Sequence, residues 1–184
     1  MKGSEQRLLL NLARESIRTY FLGKKPDTTH VRQFSEKHGV FVTLHDRHGR
    51  LRGCIGFPMP THPLFVGVVE AARSAAFMDP RFSPLKGEEL SEVRIEVSVL
   101  SKPELIKVAH YNDYLRNIKI GEDGLILESP LGSGLLLPQV ASENNMNVTN
   151  FLNALSQKAG LSFNAWKDKT SKIYKFQAEV FSEN

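Results

Sequence analysis

A chain of 184 residues, 41% hydrophobic and 24% charged, is long enough to bury the core of one domain and too apolar to be a disordered segment. Its single cysteine, Cys54, excludes an internal disulfide, a zinc-finger pattern and a cysteine-held iron–sulfur cluster; its net charge of +4, with the signs interleaved, gives no reason to expect a nucleic-acid partner. No stretch approaches the ~18 apolar residues of a membrane helix, and the first residues carry charges rather than a signal-peptide core, so a cytoplasmic protein with no membrane partner is expected.

The spacing of Leu9, Leu12, Ala13, Ile17 and Tyr20 predicts an amphipathic helix over residues 4–22, with Ser4 as N-cap and Gly23 as stop. Residues 24–31, with Pro26, read as a loop. GVFVTLH at 39–45 is a β run, DRHG at 46–49 a turn, and 50–55 the returning strand of a hairpin. Pro58 and Pro60 bar 57–60 from a central strand. Pro63 stands at a first helical position. Leu64, Val68, Ala71, Ala72, Ala75 and Ala76 then form a small-residue face suited to close packing on a sheet, and Pro80 ends this helix near Met78.

Residues 92–100 alternate, with Val93, Ile95, Val97 and Val99 to one side and Arg94, Glu96 and Ser98 to the other. Turn signals at 121–124 and 129–134 bracket a strand at 125–128. A second short strand at 135–137 and a helical turn after Pro138 follow. Thr149 or Asn150 caps a helix through Lys158 that Gly160 ends, and 172–181 is a closing strand with Tyr174, Phe176, Ala178 and Val180 on one face. With no regular βαβ alternation and no internal repeat, the expected class is α+β, a single domain over 1–184.

Three segments carry candidate chemistry. In LRGCIGF at 51–57, strand geometry sets Arg52, Cys54 and Gly56 on one face, with the arginine roughly 7 Å from the thiol. A fixed cation that near favours the thiolate; alternatively Cys54 is a small buried hydrophobe and the glycines permit close helix packing. In DPRF at 79–82, Asp79 and Arg81 either orient an anionic substrate or form a surface ion pair that closes a helix-ending turn. In LPQVA at 137–141, Gln139 either presents its amide at a helix start or simply begins a helix. The six histidines form no HExxH pair, and no metal site is expected. No P-loop, no strand-linked GxGxxG and no GxSxG elbow is present. The lysines 167, 169, 172 and 175 near Trp166 and Tyr174 read first as a solvated strand edge, and as a nucleic-acid stripe only second.

LRGCIGF at 51–57, DPRFSPL at 79–85, IEVSVLS at 95–101, GEDGLIL at 121–127 and LPQVA at 137–141 stand in the order and spacing of the AMMECR-domain family, which the chain resembles over nearly its whole length. KAGL at 158–161, Trp166 and the ending YKFQAEVF are similar to archaeal and bacterial members. The resemblance implies two unequal α+β subdomains with mixed or antiparallel sheets flanked by helices. The larger would come from the N- and C-terminal segments and the smaller from the middle of the chain, with the characteristic residues around a cleft between them. Carried over, these are Arg52, Gly53, Cys54, Ile55, Gly56, Asp79, Arg81 and Phe82, then Ser98 and Gln139, where some relatives have Glu at the last.

The resemblance brings no settled activity and no cofactor. It implies association with a Memo-like and a radical-SAM protein, the AmmeMemoRadiSam system. Two function classes follow. One is a binding module for a small ligand or protein partner at the LRGCIG segment. The other is an enzyme using Cys54 as an activated thiol, with Arg52 and Arg81 holding an anionic substrate and Asp79 assisting.

Overall fold

The computed structural model describes residues 1–183. The chain divides into two units, Met1–Leu100 with the last residues from Glu179 on, and Ser101–Ala178.

In the first unit, α1 (Gly3–Phe21) buries Leu9, Leu12, Ala13 and Ile17, whereas Tyr20 is half exposed. The helix starts one residue before the expected 4–22 span. Lys2, not Ser4, holds the N-cap position, and Glu5 reaches back to accept the Lys2 N–H at 2.7 Å. Its end follows the glycine: with Gly23 at φ 64°, the N–H groups of Gly23 and Lys24 donate to the Tyr20 and Thr19 carbonyls.

The hairpin pairs β1 (Gly39–His45) with β2 (Leu51–Phe57), and β3 (Arg94–Leu100) lies on the other side of β1, all antiparallel. Helix α2 (Leu64–Phe77) covers one face of this sheet together with α1. Pro63 takes the N-cap position rather than the first helical one. Val40, Val42 and Leu44 of β1 and Ile95 and Val97 of β3 meet Val68, Ala71 and Ala72 of α2 in one core, all fully buried. Each such aliphatic side chain contributes roughly 1.5–3 kcal/mol of burial.

Two glycines set the spacing. A Cβ on Gly53 would lie 2.2 Å from the Ala75 carbonyl oxygen of α2, and one on Gly56 would lie 2.3 Å from the Phe41 ring. Gly53 therefore admits the helix backbone on one face of β2, and Gly56 admits an aromatic ring on the other. Arg14 fixes the chain end to this unit. It forms a two-pronged pair with Glu183 and donates to the Leu90 and Val93 carbonyls at 2.7 and 2.8 Å.

The second unit contains β4 (Glu104–Leu105), the short α3 (Tyr114–Asn117), β5 (Asp123–Ser129), β6 (Gly132–Leu136), α4 (Pro138–Glu143) and α5 (Val148–Lys158). The last strand, β7 (Lys172–Ser182), begins here and ends in the first unit. Its first residues pair antiparallel with β4 on one side and β5 on the other, and β5 pairs with β6. Leu125, Leu127 and Ile173 pack with Phe151, Leu152 and Leu155 of α5 and with Trp166. The Trp166 indole N–H donates to Asn153 Oδ1 at 2.7 Å, so the buried polar edge of the ring is satisfied.

Helix α5 begins earlier than expected. Asn147, not Thr149 or Asn150, is the N-cap, and its side chain accepts the Asn150 N–H at 2.8 Å. The expected single face of β7 is also corrected: Ile173, Phe176 and Phe181 are buried while Val180 is exposed. Ile173 and Phe176, three residues apart in the regular pairing with β5, are both buried, so the strand buries side chains on both of its faces and no single-face alternation can hold along it.

Gly53→Ala should lower the denaturant midpoint, at a cost of about 1–3 kcal/mol, because backbone rather than a flexible side chain must yield. Gly87→Ala, where the built Cβ meets nothing within 4 Å, should leave the midpoint unchanged. Equal effects of the two would refute the close-approach account.

Candidate functional site

Strand β2 has β1 on one side only, so the other edge must find partners for its outward N–H and C=O groups. At Cys54 both partners come from the turn after α2. The Cys54 N–H donates to Asp79 Oδ2 at 2.9 Å, and Arg81 donates to the Cys54 carbonyl at 3.2 Å. The same guanidinium holds the same carboxylate, Nε to Oδ1 at 3.0 Å and a terminal nitrogen to Oδ2 at 2.8 Å, and the Arg81 N–H also reaches Oδ1. An acid and a base two residues apart thus replace the backbone of a missing neighbouring strand.

The Asp79 side chain is 2% exposed, that of Arg81 55%. The bond from Arg81 is the largest of the forces that hold the Asp79 carboxyl well below the ordinary carboxylate range. Those from the Cys54 and Arg81 N–H groups add to it, and burial opposes it. Arg81 also lies over the Phe82 ring, 5.5 Å from its centre.

Arg52 has a different employer from the one its spacing suggests. The register between β1 and β2 slips between Leu44–Gly53 and His45–Leu51, which leaves Arg52 as the extra residue of a bulge. Its guanidinium forms a two-pronged pair with Glu89, at 3.1 and 3.2 Å, and donates to the Ser83 carbonyl at 3.0 Å. Arg52 lowers the Glu89 carboxyl in turn.

On the sheet face turned away from α2, the register sets Cys54 opposite Thr43 and Thr43 opposite Glu96. The Cys54 N–H and C=O both point outward, so Cys54 and Thr43 form a non-hydrogen-bonded pair, the kind with the closer side chains. The Thr43 hydroxyl donates to Cys54 Sγ at 3.2 Å. Two residues along β1, the His45 imidazole Nε2 is 3.9 Å from Glu96 Oε2, and both ring nitrogens are buried without a hydrogen-bond partner among the described residues. The next row across the sheet is Gly56, Phe41 and Ser98, with Ser98 buried.

Of the residues singled out from sequence, Cys54, Gly56 and Ser98 therefore share one face, and Asp79, Arg81 and Phe82 adjoin it at the β2 edge. Gly53 and Ile55 face the α2 core instead. Gln139 belongs to the second unit, in the first turn of α4, with its Oε1 buried and unpartnered among the described residues. Sequence reasoning missed Thr43, His45 and Glu96. The alternation in GVFVTLH and in RIEVSVL contains them, and pairing the two strands through β1 is the signal that would have found them.

An α+β protein with a thiol in a braced edge strand and a polar three-strand row beside it is the class these observations define. The AMMECR1 family model matches residues 10–181, and the chain belongs to that family. It is 48% identical over 173 residues to Protein MJ0810 of Methanocaldococcus jannaschii, covering 93% of this chain and 86% of the relative. It is also 48% identical over 176 residues to Protein Ta0236 of Thermoplasma acidophilum, covering 95% of this chain and 85% of that one. The crystal structure of the uncharacterized protein PH0010 from Pyrococcus horikoshii matches with a TM-score of 0.89 at 43% identity, over 100% of this chain and 94% of that one. Among the described residues no helix is long and apolar enough to cross a membrane.

Asp79 titrates lower in the folded chain than the unfolded value of about 3.9, so its contribution to stability is complete above about pH 4 and is lost as pH falls toward the native value. Asp79→Asn should cost about 1–3 kcal/mol at neutral pH, the Coulombic part being discounted for the exposure of Arg81. It should also flatten the acid limb of a melting-temperature profile. An unchanged acid limb would remove Asp79 from the bracing role.

Proposed function

We propose that the sheet face carrying Cys54, Thr43, Glu96 and His45 binds a small polar ligand, and that the protein acts as a cytoplasmic binding module rather than through thiol catalysis. The observation that supports this most is the His45 ring, whose two buried nitrogens lack partners beside the Glu96 carboxylate. A buried polar group left unpaired costs roughly 1–3 kcal/mol, and a ligand that bonds to it removes that cost. Imidazole, carboxylate, hydroxyl and thiol in one patch suit a ligand with both donors and acceptors. The association with a Memo-like and a radical-SAM protein that the resemblance implies would place this ligand in a pathway shared with theirs.

The alternative is an enzyme with Cys54 as nucleophile and Arg52 and Arg81 as anion holders. One observation favours it: the Thr43 hydroxyl donates to Cys54 Sγ at 3.2 Å, which gives the sulfur a polar partner on the sheet face away from α2. Against it, both guanidinium groups are already held by carboxylates, Arg52 by Glu89 and Arg81 by Asp79.

The two readings separate in a metabolite screen by NMR on isotopically labelled protein. Ligand-induced shifts should centre on the amides of 41–45, 52–56 and 94–98. For the best hit, His45→Ala should weaken binding by at least about tenfold, whereas Cys54→Ala should change it less than about threefold. Turnover of a hit that vanishes in Cys54→Ala would establish the thiol enzyme instead. Shifts confined to other surfaces would overturn both.

A further inference from the structure

The second unit carries a pocket lined entirely by its own residues. It has a volume of about 590 Å³, within the range of small-molecule sites. Its floor is aromatic. Trp166 and Tyr114 are almost fully buried, and the half-buried Tyr111 meets Trp166 edge-on at 5.9 Å between ring centres. The exposed His110 ring lies against Tyr111 at 4.1 Å between ring centres, tilted by 38°, and adds to the aromatic lining.

The rim is cationic. Lys107, Lys167, Lys169 and Lys172 all line the pocket, and among the described residues none of the four makes an ion pair within 4 Å. The acid on this rim, Asp168, turns one oxygen to the N–H and hydroxyl of Thr170, both at 2.8 Å, rather than to a lysine. Lys167 stands over the aromatic floor, its Nζ 5.2 Å from the Trp166 ring centre and 5.6 Å from that of Tyr111. Four unpaired ammonium groups around one opening repel one another, and a polyanion relieves that repulsion. A flat ring laid against the more accessible Tyr111 and His110 would bury apolar surface at the same time. Phosphates among lysines beside a ring on aromatic side chains is the recognition chemistry of a nucleotide.

We propose that this pocket binds a nucleoside phosphate, either free or within single-stranded nucleic acid. Trp166 is the chain's one tryptophan, so its fluorescence reports this pocket alone. The native protein is titrated with ATP, adenosine, inorganic tripolyphosphate and a short single-stranded oligoadenylate at low salt, with calorimetry run alongside in case the indole signal is silent. ATP should bind saturably, and adenosine and tripolyphosphate should each bind at least about tenfold more weakly. The double charge reversal Lys107→Glu with Lys169→Glu, both exposed and outside the strands, should weaken ATP by about tenfold or more without lowering the melting temperature. Oligoadenylate binding tighter than ATP assigns the site to nucleic acid; ATP binding as tightly or more so assigns it to the free nucleotide. No saturable binding of either, tripolyphosphate matching ATP, or binding indifferent to the charge reversal would overturn the proposal.

Discussion

The open edge of β2 is the constraint around which the first unit is arranged. A strand with one neighbour leaves half of its main-chain groups turned to solvent or to another chain. Here the turn that follows α2 returns to that edge, and Asp79 and Arg81 take up the N–H and C=O of Cys54. For this to happen α2 must end close to β2, which requires Gly53 beneath Ala75, and must stop at Met78, which Pro80 ensures. The LRGCIG and DPRF segments are thus two halves of one structural device. Their residue types are accounted for by backbone pairing before any ligand is considered.

That dual role changes how the candidate residues are read. A cation close to a thiol suggests activation, but the charge of Arg81 is already held by a buried carboxylate and that of Arg52 by Glu89. The groups with hydrogen-bonding capacity to spare lie in the polar row across the sheet, at His45 above all. Position on the sheet face, rather than nearness in sequence, decides which side chains act together.

Much of the fold was legible because it rests on local periodicity. The Leu9–Ile17 stripe, the hairpin turn at 46–49, the alanine face of α2 and the alternation of β3 each appear in the sequence as a repeat or a punctuation mark. What escaped was set by distant partners. The bulge at Arg52 adds one residue without disturbing any hydrophobic pattern, and the Glu89 that holds its guanidinium is 37 residues away. The burial of both Ile173 and Phe176 on β7 breaks an alternation that a single buried face would have kept. The cap of α5 was ambiguous because Asn147, Thr149 and Asn150 are all capable of it, and only the turn geometry chooses.

The small net charge conceals that some basic residues brace the fold while others gather around one pocket. Arg14, Arg52, Arg73 and Arg81 each donate to at least one main-chain carbonyl, those of Leu90 and Val93, Ser83, Ser16 and Lys24, and Cys54 respectively. Three of them pair with a carboxylate as well. A planar guanidinium with donors in a fixed fork suits such bridging, and the donors so engaged are not free for a ligand. An ammonium on a flexible stem is a poorer brace and a better mobile counter-charge. The lysines around Trp166 are of that second kind, and a sum over the whole chain cannot reveal that four of them surround one aromatic pocket. Arg14, Arg52, Arg73 and Arg81 hold the backbone together, whereas the cations gathered around the aromatic pocket are lysines without a carboxylate partner among the described residues.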